Sequence, residues 1–330
     1  MPRIARGQII SDRTPQETLA EKVKAGKAVP LVSHMVDHDL LLQGHQALVQ
    51  DYAKRIEYPW ANLYDLAHIT QVRSVTHFST DFFAMRKEYL DIIKNRLCDI
   101  AEDEGVAKEL REEAEAQFDA MDFTALAKVL GYPRFADGSD HPLLLLANLD
   151  LPIYLTTSYH TVLEAALTRA GKRPRTEFCR WQQRLEGLPS GYEGDYQPTR
   201  ADPLVYHLYG LDTCPESLVL TEDDYLEFLV AISRDMSRET DRIPRRVRQA
   251  LADSSLILLG YDLQSWEFRT LFWGLIKCRP PIKQENVSVQ VAPDDKERPY
   301  LDKYLSEACF RVVWEDVYQY IRELYQLVGA

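Results

Sequence analysis

Apolar residues in this chain fall into short unbroken runs separated by amphipathic stretches. Ala28–Val32, Ile153–Thr157, Leu204–Leu208, Leu256–Leu259, Val287–Val291 and Phe310–Trp314 are nearly continuous runs. Such runs mark strands covered on both faces. Helical spacing appears between them, at Leu48, Tyr52 and Ile56, and at Val162, Leu163, Ala166 and Leu167. It returns at Phe268, Leu271, Phe272, Leu275 and Ile276, and at Val317, Ile321, Leu324 and Val328. Each set puts apolar side chains on one face of a helix. Thr14-Pro15-Gln16-Glu17 is a helix start with a capping box, and Thr221 before Glu222, Asp223 and Asp224 is another. Gly26 and Gly171 stand where the helices before them should end.

Strand runs alternating with helices predict an α/β fold, a doubly wound, mainly parallel Rossmann-like sheet. From Phe83 to Leu130 the pattern is helical and highly charged, and Glu112 to Gln117 is almost entirely Glu and Ala. This predicts a helical insertion over 83–135 within a single domain spanning 1–330. Ser33 to Asp39 reads as a polar loop. Gly187–Thr199, with its Gly, Pro and Tyr residues, reads as a loop serving as lid or partner surface. In such sheets ligands sit beyond the carboxyl ends of the strands, so the polar residues there are the site candidates.

Composition narrows the function classes. A net charge of -12 argues against a surface for nucleic-acid phosphates. Cys98, Cys179, Cys214, Cys278 and Cys309 include no close pair, which fits neither a disulfide framework nor a zinc site. Free thiols suit a reducing cytoplasm. The chain has no apolar run of membrane-spanning length, and its first 30 residues have no signal-peptide core.

Three separated blocks carry the candidate chemistry. They are Leu155-Thr156-Thr157-Ser158-Tyr159-His160, then Tyr206-His207-Leu208-Tyr209-Gly210 with Leu220-Thr221-Glu222-Asp223-Asp224-Tyr225, then Leu258-Leu259-Gly260-Tyr261-Asp262-Leu263. In order and spacing they resemble the SIR2-like (sirtuin-like) NAD-hydrolase domains of bacterial defence proteins. The matching family blocks read T-T-N-Y-D, H-G with a later L-T-x-x-x-Y, and G-Y-S-L-x-D. The resemblance implies NAD as substrate, its hydrolysis to ADP-ribose and nicotinamide, and an antiphage role. It also implies a cytoplasmic homo-oligomer, with a partner protein or a fused sensor domain. The Tyr-rich segments Gly191–Tyr196 and Tyr318–Tyr325 are candidate contact surfaces.

At the two positions that do the family's chemistry this chain differs. The Asn position falls on Ser158 and the His position on Tyr209. His207, two residues earlier on the same strand, and His160, two residues after Ser158, form a candidate replacement pair, with His207 the expected base. The bland reading makes His207 a hydrogen-bonded core histidine and His160 a surface helix residue. The resemblance puts Thr156, Thr157, Gly210, Gly260, Tyr261 and Asp262 around the nucleotide, with Asp262 and Ser265 exchanging the family's Ser and Asp. The bland reading gives the threonines to helix capping and Gly210 to a tight turn.

The first strand runs into Ser33-His34-Met35-Val36-Asp37-His38-Asp39 with no Gly before Gly44. Ser33 and His34 are the phosphate candidates there, while Asp37 and Asp39 repel phosphate. Asp37, His38 and Asp39 read as a charged loop, and no metal or zinc is expected. Two functions follow: an NAD glycohydrolase, or a SIR2-like pseudoenzyme acting as nucleotide sensor or assembly scaffold. A lysine deacylase, which shares the fold, is disfavoured by the missing cysteine pairs.

Overall fold

The computed structural model describes residues 14–78, 81–134, 141–190, 196–234, 242–277, 286–290, 296 and 298–329. Helix α1 (Pro15–Lys24) begins with the expected capping box on Thr14 and Glu17 and leads to β1 (Ala28–Val32). Among the described residues, seven helices then intervene before the next strand. They are α2 (His34–Leu41), α3 (His45–Arg55), α4 (Leu66–His77), α5 (Phe82–Asp103), α6 (Lys108–Ala116), α7 (Phe123–Val129) and α8 (Pro142–Ala147). After them come β2 (Ile153–Thr156), α9 (Val162–Arg169), β3 (Arg175–Phe178) and β4 (Leu204–His207). The chain continues through α10 (Glu222–Arg234), α11 (Arg245–Asp253), β5 (Ser255–Leu259) and α12 (Trp266–Leu271), which runs into a π-helical turn, Phe272–Lys277. It ends with β6 (Asn286–Gln290), α13 (Arg298–Ser306), β7 (Phe310–Trp314) and α14 (Val317–Gly329).

The seven strands form one parallel sheet in the order β3-β4-β2-β1-β5-β6-β7. The chain winds outward from β1 in both directions, so the topological switch lies at β1. The apolar runs end up in the sheet because every residue of β1, β2, β4 and β5 is buried. Among the described residues, no helix is long and apolar enough to cross a membrane.

Three expectations change. β3 is a seventh strand, missed because Arg175-Thr176-Glu177-Phe178 is an edge strand with two charges and only its last two residues buried. Ser33 to Asp39 is not a loop. Ser33 caps α2 by accepting from the Met35 N–H at 3.1 Å, and the helix starts immediately. In the tyrosine segment of α14, Tyr320 is buried and Tyr318 and Tyr325 are half-buried against the core, so these rings contribute to the fold. Of the loop at Gly187–Thr199, residues 191–195 lie outside the described residues, as do Val291 and Cys278.

A buried ion pair ties the long β1–β2 connection to the sheet. Arg86 of α5, fully buried, donates from Nη2 to Asp224 Oδ1 at 2.6 Å and from Nε to the Leu218 carbonyl at 3.1 Å. The other carboxylate oxygen of Asp224 accepts from the N–H groups of Leu220 and Thr221, while Thr221 caps α10 by accepting from the Asp224 N–H.

Candidate active site at the carboxyl ends of the strands

The sequence candidates gather where the switch-point rule puts them, but almost all are sealed. Ser33, Thr156, Thr157, Ser158, His160, His207 and Tyr209 are each at most 2% exposed. Their polar atoms are held in two groups.

The first group centres on Glu267 of α12, at the β1/β5 junction. Ser33 Oγ donates to its carboxylate at 3.0 Å, and Thr157 Oγ1 makes a shorter contact with it. Nδ1 of His34 stands 3.0 Å from Glu267 Oε1. Thr157 Oγ1 also accepts from the His34 N–H at 2.9 Å, helping to cap α2. Thr156 Oγ1 donates to the Val32 carbonyl and accepts from the Ser158 N–H, both at 3.0 Å. These hydroxyls, expected around a ribose, are therefore committed within the protein. Tyr209 lies on the same side. Its hydroxyl donates to the Glu267 carbonyl and contacts Thr270 Oγ1, each at 2.7 Å. Burial first, and then the Glu267 charge, push its phenol well above the usual range. Such a phenol cannot take the proton role of the family's histidine near neutral pH.

The second group surrounds Ser158. His207 is fully buried with both nitrogens engaged, Nδ1 at 2.7 Å from the Ser158 carbonyl and Nε2 at 2.9 Å from Glu164 Oε1. His160 is different. Its Nδ1 stands 3.1 Å from Asp212 Oδ2, and its Nε2 is buried with no partner. Phe123 stacks on the His160 ring at 4.0 Å, and the Phe123 N–H donates to the same Asp212 oxygen at 3.1 Å. His160 is thus a buried, oriented imidazole rather than a surface helix residue. Asp37 of α2 is also buried here, hydrogen-bonded to Ser158, and burial pushes its carboxyl up to about 6 against the pull of that bond and of His160 and His207.

His207 makes stability depend on pH. Burial alone pulls its pKa down, but the Glu164 charge, the bond to it and the Ser158 carbonyl outweigh burial and hold it above 6.5. A histidine raised on folding contributes stability that is complete below its unfolded pKa and is lost as pH rises through the folded value. The stability advantage of wild type over His207→Gln in urea unfolding should be largest at pH 6 and shrink above pH 6.5. A difference that stays constant from pH 6 to 9 would remove this account.

The glycines read differently from the ligand-approach expectation. Gly210, at φ 93°, has no room for a side chain, since a Cβ would come within 2.4 Å of the Ser217 carbonyl oxygen. It makes a tight turn. At Gly260, with φ 78°, a Cβ would lie 2.6 Å from Val36 Cγ2, so α2 occupies the approach. Gly260→Ala should cost about 1–3 kcal/mol from the left-handed backbone, with the overlap added to it. Val36→Ala should recover the overlap part in a double-mutant cycle of urea unfolding. Asp262 is exposed at the entry to α12, where its Oδ1 accepts from the Gln264 N–H at 2.9 Å. The buried carboxylate of this block is Glu267.

Residues 152–312, just under half of the chain, match the family model described as the SIR2-like domain. This part of the chain is similar to a SIR2-like domain. Comparison with curated proteins found no match. SIR2-like domains in general bind NAD. The match begins at β2 and leaves β1 and α2 outside it, although β1 pairs with β2 and β5 in the same sheet.

Sequence reasoning missed Asp37, Glu164, Asp212, Glu267 and His45 as members of the site. Asp37, Asp212 and Glu267 carry no motif, since each reaches the site through tertiary packing. Glu164 had a weak signal, a charge inside the apolar stripe of α9. His45 had a clearer one. His34 and His38 are four apart on α2, and His45 opens α3 seven residues later. Asp37, His38 and Asp39 lie on α2 and diverge. Asp37 joins Ser158, His38 turns to His45 at 3.0 Å between Nδ1 atoms, and Asp39 is exposed. Burial and neighbouring histidines keep His38 well below its usual range and lower His45 to about 3.

Proposed function

We propose that this SIR2-like domain hydrolyses NAD to ADP-ribose and nicotinamide, as an effector of antiviral defence. One observation carries the reading. At the carboxyl end of β2 an imidazole, His160, is oriented by Asp212 through Nδ1 and has an unpartnered Nε2. A carboxylate behind one nitrogen fixes the tautomer and leaves the other as a base. Nicotinamide leaves with the electrons of its ribose bond, positive charge develops on the sugar, and water attacks that carbon. The proton lost by the water goes to His160 Nε2. Ser158 and Asp37, hydrogen-bonded to each other, are the groups to hold the water or a ribose hydroxyl. Because these side chains are buried, nucleotide entry requires α2 or the segments beside it to move.

The test is purified protein with NAD, following nicotinamide release by chromatography and NAD binding by calorimetry. Release of nicotinamide supports the reading. A second reading, a nucleotide sensor or assembly scaffold without chemistry, is favoured by Val36 lying against Gly260 and by Ser33 being bonded to Glu267. It predicts NAD binding without release. Protein that neither binds nor cleaves NAD, alone or assembled with a partner, counts against both. Self-association belongs to the same proposal, and light scattering that gives a monomer at micromolar concentration would remove it.

A further inference from the structure

We infer that His34, His38 and His45 form a binding site for one divalent transition-metal ion of the zinc class. One ligand atom from each of the three histidines lies within 4.8 Å of the other two. The fold builds this arrangement. His34 and His38 are one turn apart on α2, so their side chains share a face. The α2–α3 turn then reverses sharply. Gln43 and Gly44 have φ of 58° and 103°, and the Gly44 N–H donates to the His38 carbonyl at 3.0 Å. The Asp39 carboxylate accepts from the His45 backbone N–H. His45 is thereby folded back onto His38, their rings parallel within 4°.

Two further observations point to a cation. The cluster has more imidazole nitrogens than the protein satisfies. His34 Nδ1 and His38 Nε2 are both buried with no hydrogen-bond partner, and His38 and His45 share a single Nδ1–Nδ1 contact. Glu267 Oε1 also stands 3.0 Å from His34 Nδ1, so a carboxylate lies beside the cluster, although the two are not aligned as a hydrogen bond. A carboxylate on the far nitrogen of a metal-bound histidine fixes its orientation and raises its basicity. Zinc takes imidazole nitrogens at about 2.0–2.1 Å in a tetrahedron, which puts ligand atoms roughly 3.4 Å apart. The Nδ1 atoms of His38 and His45, 3.0 Å apart, are close to that spacing, and the ligand atom of His34 lies within 4.8 Å of theirs, a short distance to close. Three protein ligands leave a fourth position for water or an anionic oxygen. His45 is half-buried, which gives the ion a route in.

The inference is independent of NAD hydrolysis. The experiment uses the whole chain, stripped with a chelator and titrated with Co²⁺ and then Zn²⁺. One equivalent of Co²⁺ should give the visible bands of a four-coordinate site, and Zn²⁺ should bleach them. His38→Ala and His45→Gln should abolish the one-equivalent signal, and Glu267→Gln should weaken affinity by roughly 10–100-fold. His68→Ala, remote from the cluster, should leave it unchanged. Should a variant fail to fold, long-range imidazole ¹⁵N spectra of wild type decide the matter, because three histidines must shift with one equivalent of Zn²⁺. A folded wild-type chain that takes up no Co²⁺ or Zn²⁺, or variants that keep full stoichiometry, would overturn the assignment.

Discussion

On the proposed NAD hydrolysis, His160→Ala should lower the rate of nicotinamide release by about two to four orders of magnitude, the usual contribution of a general base. The expectation rests on geometry. Of His160 and His207, at the ends of β2 and β4, only His160 combines a carboxylate on one nitrogen with an unpartnered second nitrogen. His207 has both nitrogens occupied, so His207→Gln should alter stability with pH more than it alters turnover at pH 7. Asp212→Asn should fall between wild type and His160→Ala, because an amide still positions the ring but favours the wrong tautomer. Tyr209→Phe should cost little in rate, since its hydroxyl contacts α12 and not the base. NAD binding by calorimetry should survive His160→Ala, which separates lost chemistry from lost affinity. Turnover that persists at the wild-type rate in His160→Ala would eliminate this base.

Arg86→Met lowers stability by about 3–5 kcal/mol, the usual result of removing one partner from a buried ion pair. Asp224 retains its two backbone donors, but its charge is left without a cation, and the Leu218 carbonyl loses its donor. The midpoint of urea unfolding should drop at unchanged slope. A loss below about 1 kcal/mol would mean that the pair behaves like a surface salt bridge. Because Arg86 belongs to α5 and Asp224 to α10, the variant also tests how firmly the long helical connection is fastened to the β4 side of the sheet.

The parallel sheet was legible because strands covered on both faces need continuous apolar runs, and β1, β2, β4 and β5 have them. β3 was not, since Arg175 sits at the exposed start of an edge strand and the buried Glu177 is paired with Arg180 and Ser190. The α2 helix was missed because its polar residues looked like a loop. Their polarity instead serves a buried network, with Asp37, His34 and His38 all turned inward. The site blocks around Thr157, Ser158, His207 and Gly260 were legible from the resemblance. Their partners Glu164, Asp212 and Glu267 were not, since hydrogen bonds across 43, 52 and 110 positions leave no mark on local sequence. The reading of Gly260 as a place for ligand approach overlooked a neighbouring side chain that only tertiary structure supplies.

The seven helices between β1 and β2 have a consequence for how the chain is made. Val32 and Thr156 are in register but 124 residues apart, and α1 reaches Ser255 across 233. At a synthesis rate of about 5–20 residues per second, β1 waits roughly 6–25 s for its first neighbour and longer for β5. Through that interval Ala28-Val29-Pro30-Leu31-Val32 is an apolar strand with both edges open. The central strand of the finished sheet is therefore the part of the nascent chain most dependent on shelter, and Pro30, which can donate no backbone hydrogen bond, is its one built-in guard against pairing with another copy.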